Sequence, residues 1–426
     1  MKMIKKLVAS VLAAAVIASA AGCAAGQESS GNNKTEATSA TAAAELNAKD
    51  LLDGVEAYNF QGSDTAENGD SIYNSFAVTL AQKTDKKGEN TLVTPISAMY
   101  ALAMAANGAD GDTLSEIENT LGLETFFLNR YLYFAMEGSY PNDSAKFTIG
   151  NSAWINDSLG YKPEKQYLAD VRTFFDANLY SADFDSASEN IDLWLSQKSA
   201  GRITETRCAP DKNSFMTLVN SLGFEDGWKS AFDKNSTAKA QFANSDGTKK
   251  ETEFMNGASD FVISSDNAEG FAKIYKGDCY AFAAIMPNEG VSVEDYLAGL
   301  TGDSLSELLK SVEKVEAAIS VPKFEQSADL SLAAPLKEMG INQAFDSEKA
   351  DFSKMGKADV NISLSDIVND SFISVNEQGT NVALSGDTAG SAANSDKKIT
   401  LDRPFVYVIY DLRTYIAKFV GIVKNV

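Results

Sequence analysis

Ser236 and Lys239, followed by Ser265-Asp266-Asn267, come nearest to a catalytic set in this 426-residue chain. A Ser-x-x-Lys pair with a Ser-Asp-Asn element would support acyl transfer with lysine as the base, the chemistry of penicillin-binding enzymes. The Lys-Ser/Thr-Gly triplet that completes such a set does not follow, and the two elements stand too close together for its scaffold. The chain contains no histidine. That excludes Ser-His-Asp triads, Cys-His pairs and HExxH zinc helices, each of which needs an imidazole that changes charge near neutral pH or binds metal while neutral. Cys23, Cys208 and Cys279 are too widely separated for a CxxC site, and separate thiols at 208 and 279 are favoured over a disulfide. No pattern isolates a glycosidase pair among the 59 carboxylates, and there is no P-loop or GxGxxG. No metal or cofactor is expected. A net charge of −22 disfavours nucleic acid and anionic lipid surfaces as partners.

The first residues carry an address. Lys2, Lys5 and Lys6 precede an uncharged run from Leu7 to Gly22, which makes residues 1–22 a signal peptide, too short and Ala-rich for a dependable transmembrane helix. It ends Ala20-Ala21-Gly22-Cys23, similar to a bacterial lipobox, with Cys23 as the lipid-bearing residue and Ala20 where Leu or Val is usual. Residues 23–68 read as a lipidated N-terminus and flexible linker, rich in Ala, Ser, Thr, Gly, Asn and Gln in their first half. The expected location is the extracellular face of a bacterial membrane, or the medium.

The rest, residues 69–426, shows neither an internal repeat nor a second linker, and one large domain fits best. Helix signals cluster early. Tyr73, Phe76, Ala77 and Leu80 share helical spacing. Thr94-Pro95 opens a helix that Gly108 closes, Thr113 with Glu116 offers a capping box ended by Gly122, Pro163 opens another helix, and Ser186 with Glu189 caps a fifth. Strand-like runs dominate later: 147–155, 215–222, 279–286, 315–324, 362–375 and 405–423. This arrangement predicts an α+β fold. Between the last two strands lies Gly379 to Thr400, small and polar, yet its first half alternates Thr380, Val382, Leu384 with Asn381, Ala383, Ser385. It has the period of a strand with no sheet assigned to it.

Four separated segments resemble the serpin family, in the right order over nearly all of 69–426. These are Asn90 to Thr113 with Thr94, Pro95 and Ser97; Leu218 to Trp228 with Asn220; Val375 to Thr380; and Arg403 to Phe405. The resemblance implies the serpin fold, with helices around a large mixed main sheet, smaller sheets, and an exposed reactive-centre loop at about 379–400. It also implies suicide inhibition of serine proteases in a 1:1 covalent complex. The protease cleaves the loop and forms an acyl-enzyme, and the loop then inserts into the main sheet before deacylation. The rival reading is a non-inhibitory surface lipoprotein that uses the scaffold as a binding module.

Counting from the hinge Glu377, and independently back from Pro404, the resemblance puts the scissile bond at Ala393–Asn394, with Ser391 and Ala392 before it. Small residues there suit elastase-like or subtilisin-like enzymes with a shallow primary pocket, and exclude trypsin-like recognition. Glu377, Gly379 and Thr380 match an inhibitory hinge, whereas Leu384 is bulkier than the usual Ala. On insertion Thr380, Val382 and Leu384 would face the core. Thr94, Ser97, Asn220, Trp228 and Asn369 are the implied gate of the sheet. Trp228 alone would read as a core aromatic, and its place in the motif is what gives it the gating role. Asn369 stands where serpins commonly carry histidine, so the gate is expected to lack a titratable member.

Overall fold

The computed structural model describes residues 45–61, 68–137, 145–206, 210–382 and 395–426, which belong to one compact unit, 45–426. Three larger sheets, a two-stranded ladder and a set of mostly N-terminal helices build it, an α+β architecture as the sequence predicts. The main sheet has seven strands: β1 (Lys49–Asp50), β2 (Lys146–Asn156), β3 (Asn178–Ala182), β4 (Met216–Gly227), β5 (Phe324–Ser331), β6 (Leu364–Val375) and β7 (Gly379–Thr380). Their spatial order is β1-β3-β2-β4-β7-β6-β5, with β4 and β6 also paired directly.

Helix α2 (Pro95–Gly108) packs behind this sheet, and α1 (Gly69–Thr84) packs beside α2 on Thr91–Val93 and Ala417–Val423 of a second sheet. Proline at the first turn of α2 gives up a donor that has no intrahelical partner there. Nearly every residue of α2 is buried, the signature of a central helix enclosed on all sides. Helix α3 (Gly111–Leu121) starts earlier than the capping-box pattern implied. The carboxylate of Asp110 caps it by accepting from the Gly111 amide, while the Thr113 hydroxyl accepts from the backbone of Asp351. Gly122 ends it in the left-handed conformation at φ 72°, as expected. Helix α4 spans Thr125–Glu137. Helix α5 (Lys165–Phe174) begins two residues after Pro163, which instead pairs in a short ladder with Gly356.

A six-stranded sheet contains Phe405–Asp411 and Ala417–Val423, whose residues are all buried, which accounts for their unbroken apolar runs. A buried polar link ties it to the main sheet: Gln326 of β5 donates to the carbonyls of Thr91 and Ile422 and accepts from the Tyr407 hydroxyl. A four-stranded sheet carries Lys398–Thr400, parallel to Ala317–Pro322. On the opposite face of the main sheet, α6 (Ala187–Lys198) lays Ile191, Trp194 and Leu195 over Trp154, Val219 and Val368.

The reading of 23–68 as flexible linker needs correction for residues 45–61. β1 pairs antiparallel with β3, Leu52 is buried, and the Tyr58 hydroxyl donates to Asp170 of α5. Phe60 packs its ring edgewise on Tyr133 and Phe174. Scattered apolar residues dock on ready-made surfaces here, so the segment shows no periodicity of its own. No helix among the described residues is long and apolar enough to cross a membrane.

Candidate functional site

The hinge predicted from the sequence lies at a fork in the main sheet. Strands β4 and β6 pair parallel from Met216–Leu222 against Leu364–Ser371, then part. Into the gap comes β7, antiparallel to both, with Thr380 opposite Val375 on one side and Asp226 on the other. Thr380 is fully buried, and its hydroxyl meets that of Tyr275 at 2.6 Å. It faces the core, as the alternation predicted. Gly379 is required by crowding, since a Cβ there would stand 2.1 Å from the carbonyl oxygen of Asp226 and 2.7 Å from the Cα of Gly227.

Trp228 fastens the same segment. Its backbone amide donates to Gln378 O and its indole to Asn376 O, while Phe232 donates to Glu377 O. The indole stacks on Tyr275 with ring centroids 4.6 Å apart. Trp228 is therefore both a core aromatic and the residue that grips the hinge. Glu377, almost fully buried, receives the Lys323 ammonium at 2.7 Å and the Thr237 hydroxyl at 2.8 Å. Burial alone would raise its carboxyl, but these partners outweigh it and hold the group below the usual carboxylate value.

A second cluster lies where β4 and β6 still touch. Thr94, Ser97, Asn220 and Asn369 are all buried, and Asn369 and Asn220 are register partners. The Thr94 hydroxyl donates to Asn369 Oδ1 at 2.7 Å, and Asn220 donates to Asn151 Oδ1 on β2, whose amide in turn donates to Phe175 O. Asn369 thus joins β6 to Thr94 at the start of α2 through an uncharged amide.

A titratable group lies one residue beyond this cluster, outside the set Thr94, Ser97, Asn220 and Asn369. Asp370 is 1 % exposed, on the other face of β6. Its register partner on β5 is Asp329, and Asp192 of α6 faces both. Burial first, then the charge and hydrogen bond of Asp329 and the charge of Asp192, push the Asp370 carboxyl up to about 8. Asp370 and Asp329 line a cleft of about 480 Å³ together with Arg202–Glu205, the segment that follows α6. In the unfolded chain such a carboxyl titrates near 4. The group's stability contribution is therefore complete below about pH 4 and is lost progressively as pH rises through its folded value of about 8. Asp370→Asn cannot ionise. Its melting temperature should exceed the wild type's by about 5–10 °C at pH 8, and by much less at pH 5. A thermal shift series is the measurement, and a difference that stays constant with pH would contradict this assignment.

The structure brings Glu377, Gly379, Thr380, Val382 and Trp228 together at the fork, and Thr94, Ser97, Asn220 and Asn369 below it. Leu384, Ser391, Ala392, Ala393, Asn394, Cys23 and Cys208 lie outside the described residues. The Cys279 thiol donates to Gly277 O. Ser236 and Lys239 form no site: Lys239 is an exposed residue ion-paired with Glu251. Among the described residues no group of three carboxylate or thiol side chains could hold a metal. The sequence reading missed Tyr275, Lys323 and Arg202, which reach the hinge from distant parts of the chain with no local motif to announce them.

Comparison with known proteins agrees with this geometry. The family model for "Serpin (serine protease inhibitor)" matches residues 71–426. An uncharacterised serpin-like protein of Thermococcus kodakarensis is 27 % identical over 369 residues, covering 83 % of this chain and 84 % of the relative. The human leukocyte elastase inhibitor is 27 % identical, covering 78 % of this chain and 91 % of its own. The crystal structure of the thermophilic serpin tengpin in its native state superposes with a TM-score of 0.84 at 33 % identity, over 89 % of this chain and all of that one. Tengpin in its latent state gives 0.75 at 31 % identity, over 87 % of this chain. With a family model matching residues 71–426 and a large mixed main sheet flanked by smaller ones, the chain belongs to the serpin family.

Proposed function

We propose that this serpin inhibits serine proteases as a suicide substrate, with cleavage near Ala393–Asn394 followed by insertion of the loop between β4 and β6. One observation carries the reading. The sheet is occupied by the hinge only as far as Thr380, and below it Met216–Leu222 and Leu364–Ser371 pair directly. A strand is therefore started at an interface that can still be parted, antiparallel to both neighbours and with the side-chain parity that insertion requires. Such an inhibitor needs no catalytic group of its own, which agrees with a chain devoid of histidine. The target enzyme supplies the nucleophile and the base.

Ser391, Ala392 and Ala393 favour proteases with a shallow primary pocket, elastase-like or subtilisin-like, and the relative named for leukocyte elastase supports that class. The chain acts as a monomer in a 1:1 complex. Cys23 bears a lipid that holds it at the extracellular face of the membrane; Cys23→Ala should move it from the membrane fraction to the medium, and unchanged fractionation would oppose anchoring. Titration of an elastase and of a trypsin with the purified protein, followed by mass analysis of the released C-terminal peptide, tests the specificity. The account expects loss of elastase activity near one equivalent and a new terminus at Asn394. Full retention of elastase activity with the loop cut would favour the scaffold as a binding module.

A further inference from the structure

Asn381 is the first residue beyond the inserted hinge, and it is held more tightly than any alternation pattern suggests. It lies in the left-handed region at φ 56°, where Asn is among the few residues at ease, and is only 7 % exposed. Its backbone amide donates to Ser374 O at 2.8 Å, continuing the ladder with β6 for one more residue. Its side chain then does what a strand backbone would do. The Nδ2 group donates to Phe224 O of β4 at 2.8 Å and to Phe372 O of β6 at 3.0 Å, and Oδ1 accepts from Ser374 N at 2.7 Å. These three groups lie where β4 and β6 have parted, and the amide supplies each with a protein partner there.

Two further contacts lock the residue. The carbonyl of Asn381 accepts from Arg202 Nη2 at 2.9 Å, and the same guanidinium binds Glu225 of β4 at 2.7 Å. Arg202 belongs to the segment after α6 that overlies the sheet. Asn376 Nδ2 donates to Val382 O, which holds the chain just past the turn. Insertion beyond Thr380 requires Asn381 to leave φ 56°, withdraw its amide from both strands and release Arg202. The backbone of the following residues then takes over the vacated partners.

We propose that Asn381 is a positioning residue that arrests the loop at the mouth of the main sheet, its side-chain amide standing in for the backbone of the strand that has yet to enter. This rests on loop insertion as the working step of the protein. The clasp closes the fork while the loop is uncut, and it is exchanged for ladder bonds when the loop is drawn in. Removing it takes this partner from Phe224 O, Phe372 O and Ser374 N in the uncut protein, and further insertion supplies ladder partners in its place.

The test uses the uncut protein with no protease, so its outcome does not depend on whether a protease is trapped. Wild type, Asn381→Ala, Asn381→Asp and Arg202→Ala are warmed below their transitions, and conversion of intact chain to a heat-resistant form is followed with its mass confirmed. Amide hydrogen exchange at Ser374 is recorded on the same samples before warming. Asn381→Ala should convert at least about tenfold faster than wild type and expose the Ser374 amide to faster exchange. Arg202→Ala, which loses one contact, should show a smaller acceleration. Asn381→Asp keeps the acceptor for Ser374 N, so it should retain slow exchange there while converting faster. Conversion of Asn381→Ala at the wild-type rate or slower, or unaltered exchange at Ser374, would overturn the proposal.

Discussion

Cleavage of the chain at Ala393–Asn394 should raise its thermal transition by roughly 10–15 °C. The uncut main sheet has one β4–β6 interface below the fork and only Gly379–Thr380 inserted above it. Freed at one end, the loop can run antiparallel along both strands and exchange that single interface for two. A net backbone hydrogen bond is worth about 1 kcal/mol, so a strand of some ten residues gains on the order of 10 kcal/mol. The native fold is then a stressed state of the same chain, held by loop tethering and by the contacts at the fork. Scanning calorimetry before and after limited proteolysis measures the shift. An unchanged transition after complete cleavage would mean that the loop stays outside the sheet.

Thr380→Arg should turn an inhibitor into a substrate, with the protease left active and the loop cut. Position 380 is fully enclosed and its hydroxyl meets the buried Tyr275 hydroxyl, so a guanidinium there must be desolvated without a counterion for the strand to form. Insertion competes with deacylation. A penalty of about 3 kcal/mol in the inserting step shifts that competition by about 100-fold, and the number of serpin molecules consumed per protease should rise accordingly. Thr380→Ser retains the hydroxyl and should inhibit as the wild type does, which separates the effect of charge from that of any change at this site. Equal stoichiometry for Thr380→Arg and wild type would show that enclosure at this position does not limit the inserting step. Gly379→Ala meets the same barrier by a different route, because its Cβ collides with the backbone of Asp226.

The hinge was readable in the sequence because its signals are local. Glu377, Gly379 and Thr380 form one short string, and the alternation after them has the period of a strand. The buried strands at 405–411 and 417–423 were readable for a similar reason: enclosure on both faces produces continuous apolar runs. The groups that grip the hinge were not readable, because each comes from a remote part of the chain. Tyr275 lies 105 residues from Thr380, and Arg202 lies 179 from Asn381. Nothing in their own neighbourhoods marks them. By alternation Asn381 is one more position in a strand, and its left-handed backbone and three side-chain bonds have no signature in the sequence. Asp370 was hidden for another reason. The acidity of the chain made one more aspartate unremarkable, and only its burial, with Asp329 and Asp192 beside it, raises its carboxyl to about 8. Residues 45–61 were assigned to the linker because docking on a preformed surface needs anchors such as Leu52 and Phe60 but no repeat.

Denaturing electrophoresis of the protein mixed with an elastase tests the central claim most directly. The account predicts a new band near the summed masses of protease and serpin, resistant to boiling in detergent and absent with Thr380→Arg. Complete conversion of the serpin to its cut form, with the elastase migrating alone and fully active, would contradict it.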